Sequence, residues 1–380
     1  MPLAIAIGVH GRFHAFDLAT SLHGRAEIRQ VATTYPAAVA RRFLPSDIPL
    51  RTAPMLEALR RLHGRVRIGP PPDALIARRF GRFAARTLPD GIDVYVGWSA
   101  ASLEAIRASR GRGILTVLER GSTHILHQQE IVARAYAAHG LTFRPTHPDI
   151  IARETAEYAD ADVIAVPTRF AAETFIERGT DPRRILVNPY GVDAAAFART
   201  DGRPGRERPR ILFVGGVGIR KGAPDLLKAF RPLRGEAELV FAGPVEQAWS
   251  PDDVEGTTFL GPLDRPGIAA AMRDADIFCL PSYEEGLSLA LLQAMAAGLP
   301  AAVSRESGSG EVVGHGTEGL VVPAGDTEAL TDALARLVRH RELRLEMGAA
   351  ARRRAETLGW DAYGDRALAG YQAALAGRDN

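Results

Sequence analysis

Short apolar stretches alternate with amphipathic ones along this 380-residue chain, and the alternation breaks off once and then resumes. The first series runs from residue 3 to residue 187. A charged segment without apolar residues, 201–209, precedes the second series, which begins at Ile211. Strands that alternate with helices favour an open, mostly parallel sheet with helices on both faces. The pattern therefore predicts an α/β chain with two Rossmann-like domains that face a cleft.

Domain boundaries follow from the same pattern. We predict an N-terminal Rossmann-like domain on the acceptor side over residues 1–193 and a linker over 194–209. A C-terminal Rossmann-like domain over 210–358 and an amphipathic helical segment over 359–380 complete the chain. In open parallel sheets, ligands bind beyond the carboxyl ends of the strands, so the cleft between the domains is the expected site.

Composition indicates a globular protein of the reducing cytoplasm. Hydrophobic residues make up 46% and charged residues 24% of the chain, and no apolar run reaches the length of a membrane span. The N-terminus has no basic leader and is predicted to be a first strand instead of a signal peptide. The lone Cys279 falls in a predicted buried strand, which argues against a disulfide framework or a cysteine metal site.

Positive charge is concentrated near the N-terminus. Residues 1–90 hold 14 arginines and six acidic side chains, a net charge of +8. Such a bias would attract anionic lipid headgroups, a phosphorylated acceptor or nucleic acid, whereas a solvated surface of arginines is the plainer alternative. We expect no nucleic-acid partner. Peripheral contact of this half with the anionic inner face of a membrane is the additional expectation.

A strand, an acidic turn and a helix follow one another between residues 276 and 300. The apolar run 276–280 stops at Pro281, and Glu284-Glu285-Gly286 then leads into a helical stretch from Leu287. The first amides of a helix have no partner within the helix, and they attract anions. The stretch therefore predicts an anion site that carries a carboxylate.

A glycine-rich turn opens the second half of the chain, from Gly215 and Gly216 to Arg220 and Lys221. It is not a dinucleotide fingerprint, because Lys221 stands where the third glycine should be, and it is not a P-loop. Arginine and lysine together can neutralise a diphosphate. The alternative is a solvated pair at a helix start, which the helix dipole disfavours unless an anion is present.

Glu285 and Gln293 lie eight residues apart around this helix start. If both face one ligand, Glu285 would accept hydrogen bonds from sugar hydroxyls and Gln293 would contact a ribose. The amides of Leu287, Ser288 and Leu289 would then meet the phosphates, next to Gly286. In isolation, a surface carboxylate that caps a helix and an ordinary helix glutamine would explain the same residues.

Four stretches together resemble one known family, the retaining glycosyltransferases of family 4, which have the two-domain GT-B fold. They are 189–193, 213–222, 281–300 and 306–326. The resemblance implies sugar transfer from a nucleoside-diphosphate sugar, as co-substrate, to a hydroxyl of a glycan, a lipid-linked saccharide or a small molecule. It also implies retention of anomeric configuration, no metal and no other cofactor, and a C-terminal helix that packs on the N-terminal domain.

The resemblance assigns roles to the residues already singled out. Glu285 would hold the donor sugar, and Arg220 and Lys221 would stabilise the departing diphosphate together with the amides of residues 287–289. On the N-terminal side, His10, Gly11 and Arg12 would face the cleft. His124 is the preferred residue to face the donor sugar, with Glu119 and Arg120 as the alternatives.

The sequence departs from the family pattern at two positions. Gln293 stands where the family usually has a second glutamate, and Gly216 stands where it often has an arginine. Glutamine still accepts a hydrogen bond but carries no charge. A catalytically weak sugar-nucleotide-binding partner of another transferase is therefore the alternative function. A sugar-nucleotide epimerase is a less favoured one.

Overall fold

The computed structural model describes residues 2–66, 71–199, 206–246, 249, 251 and 255–378. Residues 200–205 of the predicted linker and the last two residues of the predicted C-terminal segment lie outside this description. Two parallel sheets form within the described residues, one in each predicted domain. The prediction of two Rossmann-like α/β units is therefore confirmed.

The N-terminal sheet has seven strands in the order β3-β2-β1-β4-β5-β6-β7, all parallel to their neighbours. Its strands are β1 (Ala4–Val9), β2 (Glu27–Thr33), β3 (Leu50–Thr52), β4 (Val94–Trp98), β5 (Leu115–Glu119), β6 (Val163–Val166) and β7 (Ile185–Val187). Its helices are α1 (Ala15–Leu22), α2 (Ala37–Ala40), α3 (Pro54–Val66), α4 (Asp73–Arg86), α5 (Leu103–Arg110), α6 (Ile125–Ala138), α7 (Pro148–Asp160) and α8 (Arg169–Ile176).

The C-terminal sheet has six strands in the order β10-β9-β8-β11-β12-β13. The remaining strands are β8 (Arg210–Val214), β9 (Glu238–Ala242), β10 (Thr257–Gly261), β11 (Ile277–Leu280), β12 (Ala301–Ser304) and β13 (Gly319–Val322). The remaining helices are α9 (Ala194–Phe197), α10 (Ala223–Phe230), α11 (Arg265–Asp274), α12 (Leu289–Ala296), α13 (Thr327–Arg339), α14 (Arg341–Glu356) and α15 (Trp360–Ala376).

The central strands β8 and β11 form the core of the second domain. Every residue of β11 is fully buried, and Ile211, Leu212 and Phe213 of β8 are as well. A strand covered by helices on both faces presents no polar side to water, which is why these segments are continuous apolar runs. The single cysteine, Cys279, is buried in β11, where burial raises the pKa of its thiol.

The start of the predicted linker is structured. Residues 194–197 form the short helix α9, and Phe197 is 1% exposed and packs in the hydrophobic core. Asp193 caps this helix by accepting a hydrogen bond from the amide of Ala196 at 3.2 Å. The apolar side chain of Phe197 explains the difference from an open linker, because it is buried against neighbouring elements.

The last helix, α15, packs on the N-terminal domain as predicted. Tyr363 is fully buried and donates its hydroxyl hydrogen to Glu119 Oε1 at 3.2 Å. Arg366 donates to the side-chain oxygen of Asn188 at 2.9 Å and to the carbonyl oxygen of Pro189. A C-terminal element is thus bound directly behind the strand ends of the first sheet.

Strand order places four strand ends around one cleft. In the first sheet the order reverses between β1 and β4, and in the second it reverses between β8 and β11. Connections leave opposite faces of a sheet at such a point, so a crevice opens beyond the carboxyl ends of these two strands. The residues after β1, β4, β8 and β11 are therefore the ones from which a shared site can be built.

Candidate active site

A cavity of about 580 Å³ lies between the two domains at these strand ends. From the N-terminal domain it is lined by His10, Phe13, His14, Trp98, Ser99, Ala100, Arg120, Gly121, Ser122, Glu154 and Tyr190. From the C-terminal domain it is lined by Val214, Gly215, Lys221, Ile268, Glu285, Leu287, Ser288, Leu289, Ala290 and Gln293. The cavity is large enough for a ligand of drug size, and both domains contribute polar groups to its wall.

The glycine-rich turn brings its two cations against the acidic turn. Gly222 caps α10 with φ +70°, and a Cβ there would lie 2.1 Å from the carbonyl oxygen of Pro281. Only glycine allows this approach of the two backbones. The amide of Tyr283 donates to the carbonyl oxygen of Arg220 at 2.9 Å, so Arg220 and Lys221 lie directly beside the acidic turn.

Glu285 is the carboxylate that contacts both cations. Arg220 Nη1 lies 3.1 Å from Glu285 Oε1, and Lys221 Nζ forms an ion pair with the same oxygen. The side chain of Glu285 is 12% exposed and lines the cavity. Glu285 and, to a lesser extent, Glu284 raise the pKa of Arg220, so this guanidinium is charged at any physiological pH.

Helix α12 points its first turn into the same cavity. Ser288 is the cap: its backbone is extended, and its hydroxyl oxygen accepts from the amide of Leu291 at 3.4 Å. The helix therefore begins at Leu289, two residues later than the sequence pattern suggested. The first-turn amides of a helix have no carbonyl partner in the preceding turn, so this end carries partial positive charge.

The structure brings most of the predicted donor residues together. Those that line the cavity are Gly215, Lys221, Glu285, Leu287, Ser288, Leu289 and Gln293. Arg220 reaches the site through its contact with Glu285. In the described part of the chain, Gly11, Gly216 and Gly286 contribute no lining atoms to this cavity. Their assigned roles in donor binding stay predictions.

His124 does not line this cavity, and its role beside the donor sugar stays a prediction. It caps α6, and its Nδ1 accepts a hydrogen bond from the amide of Leu126 at 3.2 Å. Its ring packs against Tyr158 and Phe175, with ring centroids 4.9 and 5.0 Å apart. Burial, with the nearby arginines, lowers the pKa of His124 to about 4. The residue is a neutral helix cap within the N-terminal domain.

Arg120, one of the two alternatives to His124, does line the cavity. It is 7% exposed, and Nη1 lies 2.7 Å from Glu154 Oε2, another lining residue. Burial alone would lower the pKa of Arg120, but the charge of Glu154 and other acidic neighbours raises it. The second alternative, Glu119, lies behind the wall, where it contacts His14 Nε2 at 3.3 Å and accepts from Tyr363.

Aromatic side chains complete the N-terminal wall, and several were not singled out from the sequence. The ring centroids of His14 and Tyr190 are 4.3 Å apart, and those of His14 and Trp98 are 5.1 Å apart. His10, which was expected in the cleft, lines it next to Phe13. Burial lowers the pKa of His10 to about 4, so its imidazole is neutral at pH 7. Trp98 ends the short, mostly apolar run 94–98 that forms β4, and this position at a strand end was the signal for it in the sequence.

No group of three or more His, Cys, Asp or Glu side chains suited to a metal ion occurs among the described residues. The expectation that no metal takes part nonetheless stays a prediction.

Solved structures show which class of fold this is. Sucrose-phosphate synthase from Thermosynechococcus elongatus superposes with a TM-score of 0.71 at 18% identity, covering 99% of this chain and 100% of that one. HepE from Anabaena, solved in complex with UDP-glucose, gives a TM-score of 0.67 at 13% identity, covering 98% and 100%. At such identities the likeness shows the fold alone. That fold is GT-B, as the sequence predicted.

Sequence comparison shows which proteins the chain is similar to. Residues 208–340 match the family model described as glycosyl transferases group 1. The D-inositol 3-phosphate glycosyltransferase of Kribbella flavida is 31% identical over 281 residues, which cover 66% of this chain and 65% of that protein. The chain therefore matches slightly less than two thirds of the length of this curated relative.

Proposed function

We propose that this protein is a retaining glycosyltransferase. It transfers a sugar from a nucleoside-diphosphate sugar to a hydroxyl of a glycan, a lipid-linked saccharide or a small-molecule acceptor, without a metal ion. One observation carries the proposal: the switch points of both sheets open on one cavity, where Glu285, Lys221 and the first turn of α12 converge. A carboxylate beside cations and free helix amides fits a neutral sugar joined to a diphosphate.

The chemistry follows from where charge develops. As the bond between sugar and diphosphate breaks, negative charge accumulates on the leaving phosphate. Lys221, Arg220 and the amides at the start of α12 are fixed in position to stabilise that charge. Glu285 now neutralises both cations, so donor binding would exchange these ion pairs for contacts to phosphate. The carboxylate would then be free to accept hydrogen bonds from sugar hydroxyls.

A panel of sugar nucleotides tests the proposal. HepE is solved with UDP-glucose, so uridine donors are the first probes, followed by guanosine and adenosine donors. A ligand that binds only the folded protein raises its unfolding temperature, and hits then go to turnover with glycan and lipid acceptors, with and without EDTA. No saturable binding by any donor would refute the proposal. Interconversion of donors without an acceptor would indicate an epimerase.

A substitution at Gln293 distinguishes the proposed transferase from the alternative, a catalytically weak partner that only binds the sugar nucleotide. Gln293 lines the cavity from the second turn of α12, five residues after the cap at Ser288. We expect Gln293→Glu to change kcat/KM by less than about threefold, because glutamine and glutamate offer the same accepting oxygen to a ribose. Steady-state kinetics with the best donor measures this. If wild-type protein is inactive and the variant gains activity more than about tenfold, the binding-partner hypothesis gains support instead.

We propose that the arginine-rich N-terminal half contacts an anionic membrane surface through helix α3. Met55, Leu62 and Val66 are spaced by seven and four residues, so they share one face, and they are 79%, 60% and 50% exposed. Exposed Arg61 and Arg65 lie on the same helix. Within the described residues, no helix combines the length and hydropathy that a membrane span requires. An exposed apolar face beside arginines suits a helix that lies in the surface of an anionic bilayer.

Vesicle sedimentation tests the role of α3. We expect Met55→Ser combined with Leu62→Ser to weaken binding to anionic vesicles at low salt by about tenfold, since two apolar side chains no longer leave water. Ile176→Ser is the matched control, because Ile176 is 42% exposed but lies on α8. Equal binding of wild type to neutral and anionic vesicles, or no binding to either, would contradict this role.

A further inference from the structure

The neighbour of Glu285 in the acidic turn, Glu284, is fully buried and does not line the cavity. Its Oε1 accepts hydrogen bonds from Ser122 Oγ at 2.5 Å, from the amide of Thr123 at 3.1 Å and from Thr123 Oγ1 at 2.8 Å. Its Oε2 accepts from Gln128 Nε2 at 2.9 Å. These four donors all belong to the N-terminal domain, whereas Glu284 belongs to the C-terminal domain.

The partner of Glu284 in its own domain is Arg220. Arg220 Nη1 lies 3.4 Å from Glu284 Oε2 and 2.9 Å from the Glu284 carbonyl oxygen. The same nitrogen lies 3.1 Å from Glu285 Oε1. Arg220 is therefore shared between a carboxylate that faces the domain interface and one that faces the cavity.

The network continues into the N-terminal domain. Gln128 Oε1 accepts from Arg120 Nη2 at 3.0 Å, and this fixes the amide so that its nitrogen points to Glu284. Arg120 in turn pairs with Glu154 in the cavity wall. A continuous chain of hydrogen bonds thus runs from Glu154 across the domain interface to Glu285.

Backbone contacts show that the acidic turn is held tightly between the domains. A Cβ on Gly286 would lie 2.4 Å from the carbonyl oxygen of Gly121, so the two backbones touch. Thr168 Oγ1, from the N-terminal domain, donates to the carbonyl oxygen of Gly286 at 3.0 Å. Separation of the domains would break these contacts together with all four hydrogen bonds to Glu284.

We propose that Glu284 is a positioning residue that couples domain closure to the release of Arg220 for the donor diphosphate. When the domains are closed, N-terminal donors satisfy the carboxylate, and Arg220 is available to Glu285 and the cavity. When the domains separate, Arg220 is the partner that stays with Glu284, and the guanidinium is drawn away from the phosphate position. The catalytic part rests on the proposed function, but the closure itself does not.

Glu284→Gln is the decisive variant. Its amide oxygen can accept the bonds that Ser122 and Thr123 donate, but its amide nitrogen then faces the donors of Gln128 and Arg220. Hydrogen bonds to a charged group are worth more than neutral ones, so the closed form should lose about tenfold in population. Glu311→Gln is the matched control, because Glu311 also crosses the interface, to the amide of Arg169 at 2.8 Å, at a partly exposed position.

Two measurements test the proposal. Small-angle scattering of the ligand-free proteins should give a larger radius of gyration for Glu284→Gln than for wild type and Glu311→Gln. Donor titration and kinetics should show KM and Kd raised about tenfold with kcat within about threefold of wild type, since donor binding must now close the domains first. A merely destabilised protein would instead lose kcat at unchanged KM, because fewer molecules are active.

The outcomes are distinct. Unchanged scattering, Kd and KM in a folded Glu284→Gln protein would overturn the proposal. Gln128→Met, which removes a donor from the opposite side, must shift the same measurements in the same direction and replaces the first variant if that one does not fold. If wild type binds no sugar nucleotide, the proposed function fails, while the scattering comparison still decides whether Glu284 holds the domains closed.

Discussion

A Glu285→Ala variant is expected to lose sugar transfer by about a thousandfold or more while the protein stays folded. Glu285 lines the cavity and contacts both Arg220 and Lys221, whose positions follow the glycine-rich turn and not the carboxylate itself. Without this carboxylate, the donor sugar loses the group that we propose accepts hydrogen bonds from its hydroxyls. The sugar then also loses its fixed orientation. Steady-state kcat/KM with the best donor and acceptor measures the loss.

The affinity for the nucleotide, unlike the rate of transfer, should not fall in this variant. Glu285 competes with phosphate for Arg220 and Lys221, so its removal should leave the affinity for a nucleoside diphosphate unchanged or higher. Isothermal titration of wild type, Glu285→Ala and Glu285→Gln with the diphosphate tests this. Glu236→Gln serves as the control, because Glu236 pairs with Arg339 at the surface, far along the chain from the acidic turn. Normal transfer by Glu285→Ala would show that this turn is not the donor site.

The sequence was most informative where burial is complete. The apolar runs of β8 and β11 and the glycines at 215 and 222 predicted two strand ends and a tight turn, and all of these are present. The reason is physical: a strand covered on both faces and a turn that needs a left-handed backbone allow few alternative residues. The edge strand β3, only three residues long and partly exposed, has no such pattern, and the sequence did not indicate it.

Local sequence patterns could not predict the direction in which individual side chains point. Glu284 and Glu285 are adjacent and chemically alike, yet one is fully buried at the domain interface and the other lines the cavity. In the N-terminal loop, His124 turns inward as a helix cap while Arg120 reaches the wall. Each orientation depends on partners that lie far from the residue along the chain, such as Thr123 for Glu284 and Phe175 for His124. Only the packed fold shows them.

The position of Arg220 between two carboxylates connects the proposals. Its ion pair with Glu285 belongs to the cavity, and its contact with Glu284 belongs to the domain interface. Lys221, by contrast, contacts only the cavity-facing carboxylate among the ion pairs of the described residues. Changes at Lys221 should therefore affect donor binding without affecting domain closure, which makes it the cleaner probe of the phosphate site.

Lys221→Ala is expected to weaken the affinity for a nucleoside-diphosphate sugar by about a hundredfold, the effect of losing one charge-assisted hydrogen bond to phosphate. The side chain of Lys221 is 13% exposed and lies beside Gly215, with Cε 3.5 Å from where a Cβ on that glycine would be. A small, fixed ammonium next to a bare backbone can approach a phosphate closely. Titration of the donor at two ionic strengths measures the loss.

The chain offers a matched control in Lys228, the only other lysine of its sequence. Lys228 lies on helix α10, which begins after Lys221, and its side chain is exposed. Lys228→Ala removes the same charge at an exposed position, so it should change donor affinity by less than about twofold, through screened long-range electrostatics alone. Equal losses in the two variants would mean that the effect is net charge alone. In that case Lys221 would have no direct contact with the diphosphate, and the phosphate site would have to be sought near Arg120 in the opposite wall.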